Sequence, residues 1–295
     1  SGITLNRHIS AEIEGKQEIQ DISWHWHCRD CGSGDVSRSM PESCSACGRV
    51  ELERRQATSP NGFAVDITYE RHNDVSAPTY LPFNPPRVNF GGALWKPFSD
   101  PKLGRIRSTD QASIMHWNAG SHNNQGYAVC FYCGRAEMQT DQNLPPAFHR
   151  PHKRLRGGKE SAAEEYCPGS DSDWAIKRNL WLIDESVTSA IELQLKDPYT
   201  GEALVDDEIA WTIAYGLRYG LVGVLGITES EVSVRVQKFV DSEYGPVQSI
   251  FLYDSAVSGA GYSSQFVDYI DAIINRALEL YDCPDNCDSA CNAGL

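Results

Sequence analysis

The sequence predicts an α+β fold in two textures: an irregular β-rich front and a regular α/β domain with a mixed sheet behind it. Three observations carry that expectation. A Cys-x-x-Cys-Gly unit occurs three times, at Cys28/Cys31-Gly32, Cys44/Cys47-Gly48 and Cys130/Cys133-Gly134. The stretch from Pro78 to Pro101 holds six prolines and an adjacent glycine pair, so it reads mostly as loop. From about Asp171 short apolar runs alternate with helical patterns, as an α/β domain requires.

Taken in order, residues 1–20 are polar and read as a tail, and Ile22 to His27 is a strand running into Cys28. Residues 1–57 thus form a first unit, tail plus cysteine ribbon. A second unit, 58–170, is irregular β. Within it Phe63 to Tyr69 alternates with period two, as a half-buried strand does. Tyr127 to Cys133 is a strand ending in the third cysteine pair, and 140–170 is a loop with a basic stretch from His149 to Arg156. The third unit, 171–295, begins with strands at Leu180–Ile183 and Ser189–Leu195. Asp206 and Asp207 cap a helix with the apolar stripe Ile209, Ile213, Leu217 and Leu221. Val232–Val236 alternates cleanly, and Ile250–Tyr253 is a short apolar strand followed by a turn from Asp254 to Gly261. A long helix then places Phe266, Ile270, Ile273, Ile274, Ala277, Leu278 and Tyr281 on one face and stops at Cys283-Pro284.

Apolar residues make up 41% of the 295 and charged ones 22%, an ordinary globular balance. No apolar run approaches the roughly 18–20 residues of a membrane span, so no membrane partner is expected. The start, Ser-Gly-Ile-Thr, has no basic or apolar leader region and no Met, which suits a processed or excised segment and gives no sign of secretion. The net charge of −14 is uneven. Residues 1–159 hold 19 Lys/Arg against 16 Asp/Glu, whereas 160–295 hold 7 against 24. Like charge repels phosphate, so any nucleic-acid contact belongs to the front half.

Ten cysteines are too sparse for a disulfide scaffold, and the repeated unit suits a metal knuckle instead. Two thiolates three residues apart grip one ion, while the following Gly adopts the positive φ that brings backbone N–H groups toward the sulfurs. Cys28, Cys31, Cys44 and Cys47 supply four ligands for one tetrahedral zinc, a closed structural site. Cys130 and Cys133 begin a second site with Cys167 as third ligand. His152 or His149 completes it, His152 being favoured. Cys283, Cys287 and Cys291 form a third corner whose fourth ligand is open. Two or three Zn2+ per chain are expected. Thiolate ligation implies a reducing compartment, hence cytoplasm. Arg150, Lys153, Arg154 and Arg156, flanked by second-site ligands, are the candidate nucleic-acid-binding residues. The strand–turn–helix at Leu252–Gly261 lacks a Walker loop, and its Asp254 would repel phosphate, so Asp254 is read as capping a tight turn. No catalytic motif is present, and the chain is not expected to be an enzyme.

The run from Phe251 through Tyr253-Asp254 and Gly259-Ala260-Gly261 to Tyr262, the helix after it and the terminal cysteines together resemble the MrfA-type zinc-binding (MZB) domain. That domain is found at the C-terminus of superfamily 2 helicases and in DrmB-like proteins of DISARM phage defence. The resemblance extends through Pro60 to Phe63, Val129 to Ala136, and His152 to Cys167, covering roughly residues 28 to 295. It implies that Cys283, Cys287 and Cys291 are zinc ligands with a fourth cysteine close behind, where this chain has Gly294. The function it implies is an accessory module of an ATP-dependent helicase system acting on DNA, in repair or antiviral defence. Its partners would be a helicase motor protein or upstream helicase domains, and/or single-stranded DNA. Two other readings compete with this one. A zinc-dependent hydrolase or nuclease would use the incomplete C-terminal cysteine site. A protein-interaction scaffold would bind no nucleic acid and would suit the acidic half.

Overall fold

A computed structural model describes residues 2–4, 22–60, 62–64, 84–120, 124–148, 151–152, 166–167, 169 and 175–281. The strands are β1 (Gly2–Thr4), β2 (Ser23–Cys28), β3 (Gly34–Ser37), β4 (Leu52–Thr58), β5 (Gly62–Ala64), β6 (Arg87–Asn89), β7 (Lys96–Pro97), β8 (Gly104–Asn118), β9 (Tyr127–Cys130), β10 (Ala136–Met138), β11 (Ile176–Leu195), β12 (Val232–Asp241) and β13 (Gly245–Asp254). Helix α1 (Asp207–Leu225) lies between β11 and β12, and α2 (Ile270–Tyr281) follows β13. Strands β1 and β5 pair with each other, and the other eleven form one mixed sheet, as the α+β expectation requires. The remainder of the strand expected over Phe63–Tyr69 lies outside the described residues.

The spine of the sheet is β11. It runs antiparallel to β9 near its start, to β8 from Leu182 to Leu195 and to β13 from Ala190 to Gln194, and parallel to β4 at Trp181 and Leu182. The two strands expected at Leu180–Ile183 and Ser189–Leu195 are therefore one. The exposed acids Asp184 and Glu185 break the apolar pattern, but the ladder carries the backbone through them, opposite His116 and Met115. A register shift between Thr188 and Ala190 re-aims the strand beyond that step. The irregular β expected in the 58–170 unit also needs correction, because β8 is a regular strand of fifteen residues. Its Ser, Thr, Asp and Gln weaken the sequence pattern, and pairing with β11 forms it.

Both faces of β13 are covered, so it is buried from Val247 to Asp254 without alternation. On one face Ile191, Leu193, Ile250 and Leu252 pack against Leu217, Leu221, Phe266 and Ile273. On the other, Phe251 and Tyr253 pack with Phe90, Ala112, Ile114 and Ala190. Each such aliphatic or aromatic side chain contributes about 1.5–3 kcal/mol relative to exposure.

Asp206 caps α1 as expected, accepting a 2.9 Å hydrogen bond from the Ile209 N–H, and Gly226 ends it in the left-handed conformation. The inward stripe differs from the expected one. It is Ala210, Ala214, Leu217 and Leu221, while Ile209 is 52% exposed. The reason is close helix packing at Gly220, where a Cβ would stand 2.2 Å from the Ile273 carbonyl oxygen. Gly216 and Gly220 thus let α2 approach one side of α1, while Ala210, Ala214, Leu217 and Leu221 meet the sheet core and Ile209 stands a turn before the contact with α2. The long helix expected from Phe266 onward is shorter: Phe266 sits in a 3-10 turn over Ser263–Asp268, and α2 begins at Ile270. Among the described residues no helix is long and apolar enough to cross a membrane.

Candidate metal centres and the Asp254 turn

The three Cys-x-x-Cys-Gly units adopt one local structure. In each, the first Cys N–H donates to the carbonyl five residues on, and the Gly N–H donates back to the first Cys carbonyl. The pairs are Cys28–Ser33 and Gly32–Cys28 (2.7 and 3.0 Å), Cys44–Arg49 and Gly48–Cys44 (2.7 and 2.8 Å), and Cys130–Arg135 and Gly134–Cys130 (2.9 and 2.8 Å). The glycines carry φ of 81°, 75° and 80°, a left-handed geometry that strains any other residue. Turning the chain this tightly points both sulfurs of a unit to one side.

Cys28, Cys31, Cys44 and Cys47 converge in one cluster, with Sγ–Sγ separations of 3.6 Å for Cys28–Cys47 and 3.6 Å for Cys31–Cys44. The cluster docks on β12, where Val240 N–H donates to the Cys31 carbonyl at 3.1 Å and Gln237 Nε2 to the Gly32 carbonyl at 3.0 Å. Cys130, Cys133, His152 and Cys167 form a second cluster, and all four are buried. Cys130 Sγ lies 3.8 Å from Cys167 Sγ, and Cys133 Sγ lies 3.4 Å from His152 Nε2. Of the two histidines the sequence offered, the structure brings His152 into the cluster. The Cys167 N–H bonds to the His152 carbonyl at 2.8 Å, and the Phe148 ring meets the imidazole edge-on at 5.1 Å. His149, Arg150, Lys153, Arg154, Arg156, Cys283, Cys287 and Cys291 lie outside the described residues.

The donor geometry fits a tetrahedral metal ion. A zinc–sulfur distance of about 2.3 Å sets sulfurs about 3.8 Å apart at the corners of a tetrahedron, and a sulfur and an imidazole nitrogen about 3.6 Å apart. A disulfide would need about 2.05 Å, and these seven thiols are free. Soft thiolate and imidazole donors in fours select zinc over hard, oxygen-seeking cations. Electrostatics point the same way. Burial pushes the Cys31 and Cys44 thiols up. Hydrogen bonds from Cys133 and then Cys167 pull Cys130 down to about 3, while the contacts with Cys130 and Cys133 push Cys167 up. Such a cluster accommodates one negative charge and resists the next, a conflict that a central dication removes.

The turn after β13 is built around the buried Asp254 carboxylate. Its Oδ2 accepts from the Ala260 and Tyr262 N–H groups at 2.8 and 3.0 Å, and its Oδ1 from the Ser263 N–H and hydroxyl at 2.8 and 2.7 Å. The amides that would cradle a phosphate are thus turned onto an internal carboxylate. Thr188 Oγ1 ties the turn to β11 by donating toward the Asp254 and Ala256 carbonyls. Residues 213–293, which include this turn, match the family model of the MrfA Zn-binding domain, MZB. The back of the chain is similar to MZB. This MZB-like segment holds α1 from Ile213 onward, the β12–β13 hairpin on which the first cluster docks, and α2. Two crystal structures of the DUF1998 helicase MrfA also resemble the chain. The DNA-bound one matches at 14% identity and TM-score 0.40, over 72% of this chain and 22% of that one. The one bound to DNA and AMPPNP matches at 18% identity and TM-score 0.25, over 35% and 18%. The chain spans about a fifth of the length of those MrfA chains. No curated protein matches it.

A buried aromatic stack shared by β2, β8 and β11 left no pattern in the sequence. The His25 ring packs 4.8 Å from Trp181 and 5.3 Å from Trp117, which themselves stack at 4.5 Å. Both His25 nitrogens are buried without a hydrogen-bond partner. Burial, then the charges of Arg87 and His27, lower its pKa from 6.5 to about 3. The unfolded chain takes up this proton near 6.5 and the folded chain only near 3, so acid favours unfolding between those values. The stability is fully present above 6.5 and lost as pH falls toward 3. His25→Phe keeps the stack and removes the titration. In urea denaturation between about pH 6.5 and 5, the variant should lose roughly 1.4 kcal/mol less per pH unit than the wild type. Equal slopes would place the acid sensitivity elsewhere.

Proposed function

We propose that the chain is a zinc-stabilised accessory module of an ATP-dependent helicase system acting on DNA, in repair or in defence against foreign DNA. The observation that carries this reading is the match of residues 213–293 to the MrfA Zn-binding domain. The two four-ligand clusters support it. A closed tetrahedral set leaves no position for water or substrate, so such an ion holds a surface in shape rather than performing chemistry. Free thiols in this arrangement suit a reducing compartment such as the cytoplasm. The module's partners are a helicase motor, as a separate protein or as upstream domains, and single-stranded DNA. Strand contact is assigned to Arg150, Lys153, Arg154 and Arg156, four cations in a seven-residue stretch between His149 and Cys167 in the less acidic half.

Binding of a labelled single strand across a salt series tests the reading, because each phosphate contact releases counterions. Replacing all four cations by Ala should weaken binding similarly for every strand sequence and lower the salt slope by up to about 0.7 per lost contact. Zinc content should not change, since none of the four belongs to a cluster. Unaltered affinity in the quadruple variant would leave a scaffold that binds the motor alone.

A further inference from the structure

A polar cavity of about 380 Å³ opens beside the first cluster, where the Cys44–Cys47 turn contributes Ser45 and Ala46 to its wall. Strands β3, β6 and β12 supply Asp35, Arg87 and Gln237, and β2 and β8 add Trp26 and Arg107. The Arg87 guanidinium lies over the β2–β3 hairpin, so close that a Cβ on Gly34 would stand 2.6 Å from its Nη1. Its Nε is buried without a hydrogen-bond partner. Among the described residues none accepts a hydrogen bond from it, and no carboxylate lies within ion-pair distance.

The surroundings sharpen the anomaly. Burial lowers the Arg87 pKa to about 10, against the pull of Glu53 and with the push of Arg235, so it stays charged at neutral pH. Arg235 shares its strand face with Gln237 and Phe239, which line the cavity, and its own Nε is also buried and unpartnered. Asp35 is the one carboxylate among the described lining residues. It is engaged by the Val36 N–H and by Asn89 Nδ2, each at 2.7 Å, and does not pair with Arg87. The third arginine in the region, Arg107, is held by Glu192 at 2.5 Å. Arg87 is half-buried, and its guanidinium has the face of the Trp117 ring at 5.6 Å beside it but no acceptor for its N–H groups, which an oxyanion in the cavity would supply. The guanidinium fork matches two oxygens of a tetrahedral anion.

We propose that this cavity binds a phosphate-type oxyanion, with the Arg87 guanidinium as its charged ligand. The oxyanion is either a phosphodiester of a nucleic-acid strand or a free phosphate, and both present the same oxygens to Arg87. The inference does not rest on DNA binding, because inorganic phosphate alone tests it.

The experiment compares thermal unfolding of the zinc-loaded chain and its Arg87→Gln variant in sodium phosphate and in sodium chloride of equal ionic strength. At phosphate about five times its dissociation constant, the wild type should gain about 2–4 °C over the variant's gain. General salting-out by phosphate acts on both proteins and cancels in that difference. An equal gain in the two proteins, or none in either, overturns the proposal. Should R87Q fail to fold, Arg87→Lys keeps the charge but loses the fork, and a gain equal to the wild type's would overturn it likewise. Single-strand binding by the same variant separates the sources. A loss of about tenfold or more identifies a phosphodiester, and unchanged strand affinity with lost phosphate stabilisation identifies a free anion.

Discussion

Replacing Cys130 by Ser is expected to remove one bound zinc per chain and to cost on the order of 10 kcal/mol of folding free energy. The magnitude follows from where this thiol sits. Cys130 is buried, pairs with Ile176 at the start of β11, and ends β9, whose Tyr127 and Val129 pack with Leu180 and Leu182. Losing the ion leaves Cys133, His152 and Cys167 buried around an empty centre and unclamps the N-terminal end of β11. Cys47 offers the contrast, being the exposed corner of the first cluster. Cys47→Ser should lose zinc more readily than stability, since the docking bonds to β12 run through Cys31 and Gly32. Metal content by elemental analysis, paired with thermal unfolding, checks both. The intact chain should carry at least two zinc ions. A Cys130→Ser protein with the wild-type zinc content and melting point would refute the second site.

Asp254→Ala is expected to cost about 3–5 kcal/mol, because it strands three backbone N–H groups and a hydroxyl that now converge on one buried carboxylate. Water cannot easily replace the acceptor, since Asp254 is 2% exposed and the turn is pinned to β11 through Thr188. Asp254→Asn should do little better. Whichever way the amide turns, one of its ends presents N–H groups to N–H groups. The turn sets the entry of the chain into α2, so proteolysis near residues 255–269 should rise along with the loss of stability in denaturant. A variant with wild-type denaturation would mean that the turn is held by its other contacts.

The cysteine clusters were legible because their chemistry is local. A Cys-x-x-Cys-Gly unit fixes its own turn whatever surrounds it, so spacing alone marked the first cluster and the Cys130–Cys133 half of the second. His152 was legible only as one of two, since its selection depends on Cys167 and Phe148 across a loop. β11 was not legible as one strand. Its continuity past Asp184 and Glu185 is conferred by β8, some 70 residues earlier in the chain. The inward face of α1 was not legible for a related reason, because Gly220 packs on Ile273 of α2 while Ala210 and Ala214 lie in the core cluster with Val232, Val236, Ile250 and Leu252, and none of the three is buried on account of its own hydropathy. Arg87 and His25 gave no pattern at all. Each is one polar residue whose meaning depends on what is packed over it.

The position of β11 late in the chain has a consequence for biosynthesis. β4 meets its partner Trp181 only after more than a hundred further residues have been made, a delay on the order of ten seconds at ribosomal speed. During that interval the front of the chain has strand edges and apolar side chains with nothing to cover them. The ligands of the first cluster all lie within residues 28–47, and β2 pairs with both β3 and β4, so this segment can close on an ion while β11 is still being translated. Zinc supply at the ribosome would then govern yield: nascent chains starved of the ion wait with open edges, and those edges are what aggregates.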